Sequence, residues 1–257
     1  MRLDLKTLRD MKGKTPICAV TCYDAAMARL LDQEVDVLLV GDSLAMVVQG
    51  HDNTLPVTLE EMIYHTRMVA RGSTHAFLLA DLPFLSYQTS VEDAVRSAGR
   101  LLKEGGAQMV KLEGGRAVVP QVTALAGYGI PVMGHLGLTP QSVHAIGYGK
   151  QGKDSAAAQT LLSDAAALEQ AGAAMLLLEN IPHDLAEQVS RQSSLPTIGI
   201  GAGPGCDGQV QVLHDLAGWI PDFTPRHAVK YMEGGKALQE AARRYAQDVR
   251  ERKFLSK

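Results

Sequence analysis

Eight short, continuous apolar runs constrain this chain more than any other feature. They are ICAVTCY (17–23), VDVLLVGD (35–42), AFLLAD (76–81), AQMVKLE (107–113), IPVMGH (130–135), AAMLLLE (173–179), LPTIGIGAG (195–203) and, less clearly, GQVQVLHD (208–215). Runs that do not alternate with polar residues indicate strands buried on both faces, hence parallel strands covered by helices. Amphipathic stretches lie between them, such as VEDAVRSAGRLLKEGG (91–106) and SAAAQTLLSDAAALEQAG (155–172). The second starts at the capping residues Asp154 and Ser155 and stops at Gly172, as helices do. Eight βα units in a chain of 257 residues predict a (β/α)8 barrel, a TIM barrel. A doubly wound open sheet is the rival, but no G-x-G-x-x-G opens a helix after the first strand.

The expected repeat is uneven. Only PGCDG separates the last two strands, too little for a full helix, whereas 43–57 and 136–153 are long loops that follow strand ends. Long loops in a compact domain are commonly functional. An N-terminal helix is expected. The stretch from Thr224 to Glu251 is expected to be helical, with a break near Gly234 and Gly235. No linker or low-complexity segment interrupts the chain, so residues 1–257 are read as one barrel domain.

Composition removes several classes of function. With 46% hydrophobic and 21% charged residues and a net charge of −3, the chain has no basic block to meet a nucleic-acid backbone. An aromatic content of 5% offers no base-stacking platform. No apolar run is long enough to span a bilayer. The N-terminal MRLDLKTLRDMKGK lacks a secretory h-region. The three cysteines, Cys18, Cys22 and Cys206, form neither a disulfide framework nor a zinc pattern. They are read as buried reduced thiols of a cytosolic protein.

The polar residues at the strand ends carry the functional signal. In MVKLEGG (109–115), Lys111 and Glu113 are two apart and so share one face of a strand. Ions on a buried face are costly unless something there needs them. Asp42 with Ser43, Asp81, His135 and Glu179 close four other runs. Each has a structural reading: a helix cap, a turn anchor, an ion pair, or a bond to a loop carbonyl. Together, at the mouth of a barrel, the carboxylates would repel each other unless a cation or a shifted pKa relieved them. Oxygen donors in this number suit a hard metal such as Mg²⁺. Lys111 would supply fixed positive charge, and a carboxylate free of the metal could serve as a base. Residue types and spacing thus predict metal-assisted chemistry on a small oxyacid. The glycines of GIGAG (199–203) could offer N–H groups to a phosphate, but tight packing explains them equally well, and they receive no site role.

The local strings GDSLAMVVQG (41–50), TLPVT (54–58), DLPF (81–84), MVKLEGG (109–115), GHLGLTPQSV (134–143), GIGAG (199–203) and CDGQV (206–210) resemble, in order, those of the ketopantoate hydroxymethyltransferase family. The resemblance runs from about Leu8 to Tyr231. It implies a barrel of the phosphoenolpyruvate/pyruvate superfamily, a Mg²⁺ ion, 5,10-methylenetetrahydrofolate as one-carbon donor, and a cytoplasmic homo-oligomer, commonly a decamer. By motif, Asp42, Asp81 and Glu113 resemble the metal carboxylates. Asp42, Ser43, Asp81 and Lys111 resemble the oxoacid-binding groups, with His135 beside them. Glu179 resembles the proton acceptor. Gly149, Asn180 and Gln211 depart from the usual pattern. The implied reaction is hydroxymethyl transfer to 3-methyl-2-oxobutanoate. The rival enzyme is a Mg²⁺-dependent oxoacid lyase or aldolase without folate, and a non-catalytic oxoacid sensor is the rival of another class.

Overall fold

The computed structural model describes residues 2–220, 225 and 227–254. Eight strands, β1 (Ile17–Thr21), β2 (Val37–Val40), β3 (Phe77–Asp81), β4 (Met109–Glu113), β5 (Val132–Gly137), β6 (Met175–Glu179), β7 (Thr197–Ile200) and β8 (Gly208–Gln211), follow one another around a closed barrel. The paired strands are parallel. All eight expected strands are present, each within or close to its apolar run. The barrel excludes the open-sheet rival.

Strand parity explains why the apolar runs are continuous. Val37, Leu39, Phe77, Leu79, Met109, Met133, Met175, Leu177 and Ile198 pack into one buried group, the barrel interior. Leu38, Val40, Leu78, Ala80, Val110, Leu112, Leu176 and Leu178, one residue out of phase, belong to a second group shared with the surrounding helices. Each fully buried side chain of this size is worth about 1.5–3 kcal/mol over its exposed state. The expected N-terminal helix, Leu5–Met11, contributes Leu8 to the interior group.

Local chemistry sets the helix boundaries. Thr58 and Glu61 form a reciprocal capping box at the helix Leu59–Gly72. The Asp154 carboxylate accepts from the Ala157 N–H at 2.8 Å to open Ser155–Gln170. The expected helix over 91–106 is regular only for Val91–Arg100. A single π turn, Leu101–Gly105, completes it, and Gly106 ends it at φ 85°. Between β7 and β8 lies a short connection without a helix, as read from the sequence.

The chain divides into two compact units, Met1–Val210 and Gln211–Lys257. Two expectations about the second unit need correction. The last apolar run leaves strand geometry at Gln211, and Leu213–Leu216 is one helical turn. The C-terminal helix starts at Gly234 and runs to Arg250. Residues 225 and 227–233 are not helical, because other partners take their backbone groups. Gln211 holds both polar groups of Val229, at 2.8 and 2.7 Å. The Tyr231 N–H donates to the Leu216 carbonyl, and the Gly234 N–H to that of Ala217. Thr224 and Arg226, also included in that expected helix, lie outside the described residues.

A third correction concerns the cysteines. Cys22 is buried, with its thiol pushed up to about 12 by burial, and Cys206 is half-buried, but Cys18 is exposed. It occupies an outward-facing position near the start of β1, where its N–H donates to the Asp36 carboxylate at 2.8 Å.

Candidate active site

Asp81, Lys111, Glu113, His135 and Glu179 have the same strand parity as the interior side chains below them. Asp81 continues Phe77 and Leu79, and Lys111 and Glu113 continue Met109. His135 continues Met133, and Glu179 continues Met175 and Leu177. The register sets Asp81 beside Lys111 and Glu113 beside His135. These residues form a polar layer where the apolar layers end, at the C-terminal face on which barrel enzymes place their chemistry. Asp42 and Ser43 follow β2 after the single residue Gly41. All the expected site residues therefore come together.

Lys111 Nζ is 3.3 Å from Asp81 Oδ1. His135 Nδ1 is 3.3 Å from Glu113 Oε1, and its Nε2 is 3.4 Å from Glu179 Oε2. The backbone N–H of Asp42 donates to Asp81 Oδ2 at 3.0 Å. Lys111 Nζ also lies 3.3 Å from His135 Nδ1. That contact is an approach of two cations rather than a hydrogen bond, because each ring nitrogen faces a carboxylate oxygen and both are donors in the imidazolium. Burial and Lys111 press the His135 pKa downward, but Glu113 and Glu179 prevail and raise it to about 9. Burial, then Asp81 and Glu113, push Asp42 up to about 8.

Asp42 and Ser43 do not act as the helix caps that a structural reading allowed. Ser43 makes no capping bond to the short helix Leu44–Val47. Its hydroxyl pairs instead with the Tyr23 hydroxyl at 2.9 Å. Gly41 is small for a reason of space: a Cβ there would come 2.7 Å from Ser43 Oγ. Gly137, at φ 96°, lies where β5 passes Glu179, and an added Cβ would collide with the Glu179 carbonyl. That carbonyl accepts from the Leu138 N–H at 2.8 Å. The loop 136–153 is tied to the same strand end, since the Gln151 N–H donates to the Asn180 carbonyl at 3.0 Å and the Asn180 amide to the Tyr148 carbonyl at 3.3 Å.

Three residues of this network were not read from the sequence: Tyr23, Tyr87 and Gln141. The Tyr87 hydroxyl accepts from the Glu113 N–H at 3.0 Å, and its single proton goes to Gln141 Oε1 at 2.8 Å, with the Glu113 carbonyl further off at 3.1 Å. Gln141 donates to Asp42 Oδ2 at 2.9 Å. Gln141 lies within GHLGLTPQSV, so the signal for it was a motif already singled out for His135.

The donor set fits a hard divalent cation. Asp81 Oδ1 and Glu113 Oε1 are buried and meet only the long 3.3 Å contacts to Lys111 and His135 in place of close hydrogen bonds, so each keeps a lone pair for an ion. Among the described residues, no three His, Cys, Asp or Glu side chains already stand as a ligand cluster. Oxygen donors of this kind would suit Mg²⁺, which uses one or two carboxylates and takes its remaining ligands from water and substrate oxygens.

A pH dependence follows for the metal-free protein. The folded pKa values of Asp42 and His135 both lie above ordinary values near 4 and 6.5, so folding favours their protonated forms. Their contribution is complete below those ordinary values and is lost as pH rises through about 8 and about 9. In EDTA, the urea midpoint should therefore be lower at pH 9 than at pH 6, and Mg²⁺ should narrow the gap. An equal or higher midpoint at pH 9 would contradict the charge arrangement.

Comparison with solved structures shows the same barrel fold in other enzymes. Phosphoenolpyruvate phosphomutase from Streptomyces platensis subsp. rosaceus superposes with a TM-score of 0.66 at 14% identity, over 96% of this chain and 86% of that one. A 2,3-dimethylmalate lyase, described as a PEP mutase/isocitrate lyase superfamily member, gives 0.61 at 18% identity, over 96% and 83%. The fold is thus that of the PEP mutase/isocitrate lyase barrels. Sequence comparison is more specific. The family model for ketopantoate hydroxymethyltransferase matches residues 2–257. The 3-methyl-2-oxobutanoate hydroxymethyltransferase of Magnetococcus marinus is 54% identical over 241 residues, covering 93% of this chain and 90% of the relative. That of Moorella thermoacetica is 52% identical over 256 residues, covering 98% and 95%. The chain belongs to the ketopantoate hydroxymethyltransferase family.

Proposed function

We propose that this chain transfers a hydroxymethyl group from 5,10-methylenetetrahydrofolate to 3-methyl-2-oxobutanoate. The products are 2-dehydropantoate, in pantothenate biosynthesis, and tetrahydrofolate, with water supplying the hydroxyl oxygen. Family membership over the whole chain supports the reaction. The observation that carries the chemistry is one buried layer holding a lysine, an imidazole and more carboxylates than these cations offset. Asp42 and Asp81, with Glu113 beside them, would hold Mg²⁺. When bound, that ion supplies Lewis acidity to the 2-oxo group and so acidifies the C3–H bond.

The chain's own residues do the rest. Lys111, fixed against Asp81, provides positive charge for the oxygen of the developing enolate. Ser43, held by Tyr23, and Asp42 and Asp81 orient the oxoacid. Glu179, less buried than the other acids of the site, takes the C3 proton. His135 Nε2, at 3.4 Å, holds the Glu179 carboxylate in place, and burial of the layer limits water access. Water adds to the folate-borne methylene carbon, whose two bonds to the folate nitrogens break to release tetrahydrofolate and leave that carbon at the aldehyde level. Carbon C3 then bonds to it, and the aldehyde oxygen takes up the proton removed from C3 to give the hydroxymethyl group. A cytoplasmic homo-oligomer, a decamer, completes the reading.

The test is an assay of purified protein with 3-methyl-2-oxobutanoate, with and without Mg²⁺ and methylenetetrahydrofolate. Turnover should need both. Turnover without folate would favour a lyase or aldolase, and binding without turnover a sensor.

A further inference from the structure

Gln141 reaches across the polar layer from the turn Pro140–Ser142 that follows β5. It is buried. Its side-chain Nε2 donates to Asp42 Oδ2 and to the Leu82 carbonyl, both at 2.9 Å. Its Oε1 accepts from the Tyr87 hydroxyl at 2.8 Å and from Gln88 Nε2 at 3.1 Å. Its backbone N–H donates to Glu113 Oε2 at 2.9 Å. The amide orientation is forced. A flip would set Oε1 against two oxygen acceptors and Nε2 against the Gln88 amide nitrogen.

Asp42 lies just past β2 and Glu113 ends β4, with β3 between those strands. Nothing in the strand pairing fixes their carboxylates relative to each other, and like charges drive them apart. One residue holds an oxygen of each. For Glu113 the other oxygen, Oε1, meets only His135 Nδ1, at 3.3 Å.

We propose that Gln141 is a positioning residue. By clamping Asp42 Oδ2 with its amide and Glu113 Oε2 with its backbone N–H, it presents both acids in the geometry a divalent cation requires. The inference rests on the Mg²⁺ reading above. It extends that reading to a residue that touches neither the ion nor the substrate. Tyr87 is the next link, since its hydroxyl donates to the far end of the Gln141 amide and accepts from the backbone N–H of Glu113.

Calorimetric titration of Mg²⁺ into wild type, Gln141→Met and a stability control tests this, with urea midpoints measured alongside. The control is Thr197→Val, which breaks the buried contacts of Thr197 with Ser190 and Asp207 at the start of β7. Methionine preserves the length and removes every side-chain bond. The Mg²⁺ dissociation constant of Gln141→Met should rise by about 10–100-fold, the usual effect of losing an outer-shell partner. Its deficit in kcat/KM should shrink at saturating Mg²⁺. Thr197→Val should lose stability and keep wild-type affinity. A folded Gln141→Met with a dissociation constant within about threefold of wild type, well below that range, overturns the inference. So does a loss in Thr197→Val matching that in Gln141→Met, which would mark a general effect of stability. If Gln141→Met does not fold, Tyr87→Phe frees the amide without touching Asp42. It should weaken Mg²⁺ severalfold, and unchanged affinity counts against the clamp. A wild type that binds no Mg²⁺ overturns the metal reading, and this inference with it.

Discussion

Replacing Glu179 by Gln should leave a protein that folds, binds Mg²⁺ and binds the oxoacid, yet turns over roughly two to four powers of ten more slowly. That is the usual contribution of a general base. Gln keeps the shape and can donate or accept where Glu179 now meets His135 Nε2 at 3.4 Å, so the loss reports basicity rather than packing. The acids expected to hold the ion are on β3 and β4 or just past β2, whereas Glu179 ends β6, so the base and the metal should separate by mutation. Exchange of the C3 hydrogen of 3-methyl-2-oxobutanoate in D₂O, followed by NMR, isolates the proton transfer. Wild type with Mg²⁺ should catalyse it and the Gln variant should not. Exchange at the wild-type rate in a variant that makes no product would remove Glu179 as the base. His135, which contacts Glu179 through one nitrogen and Glu113 through the other, would then be the group to test.

How far the site could be read from sequence depended on strand parity. Once β4 is a strand, Lys111 and Glu113 must share a face, and the apolar residues two positions below show that this face is the barrel interior. The same logic fixes Asp81, His135 and Glu179, because each ends a run whose alternate residues fill the interior. Parity says nothing about residues that reach the site from loops. Gln141 sits on a turn after β5 and Tyr87 on a loop after β3, and neither is distinguishable by residue type from a loop residue facing solvent. Tyr23, one residue beyond Cys22 at the end of the first run, reads as ordinary core. The C-terminal stretch failed for a related reason. Its composition suits a helix, but hydrogen bonds to Gln211, Leu216 and Ala217 take the backbone donors of Val229, Tyr231 and Gly234. These tertiary partners have no local signature.

Two single substitutions should push the metal-free barrel in opposite directions. Lys111 is fully buried among Asp42, Asp81 and Glu113, and it is the fixed cation that keeps these acids tolerable together. Lys111→Met leaves them uncompensated, and removing one partner from a buried ionic group costs about 3–5 kcal/mol. Asp81→Asn takes away one of the negative charges that raise Asp42. The Asn oxygen can still accept from the Asp42 N–H, now bonded at 3.0 Å. In EDTA at pH 8, Lys111→Met should therefore unfold at a clearly lower urea concentration than wild type, while Asp81→Asn should match or exceed it. Function should not follow stability. Asp81→Asn, the more stable of the two, should lose Mg²⁺ affinity by more than about a hundredfold, beyond what losing an outer-shell partner costs. Asp81→Ala is a poorer probe, because it also strips the Asp42 N–H and Lys111 of a buried partner and so mixes ligand loss with destabilisation. Should Asp81→Asn be strongly destabilised in EDTA while binding Mg²⁺ as wild type does, Asp81 would be a structural counterion to Lys111 rather than a metal ligand. The surplus of negative charge in the mouth would then have to be met by protons on Asp42 and its neighbours instead of by an ion.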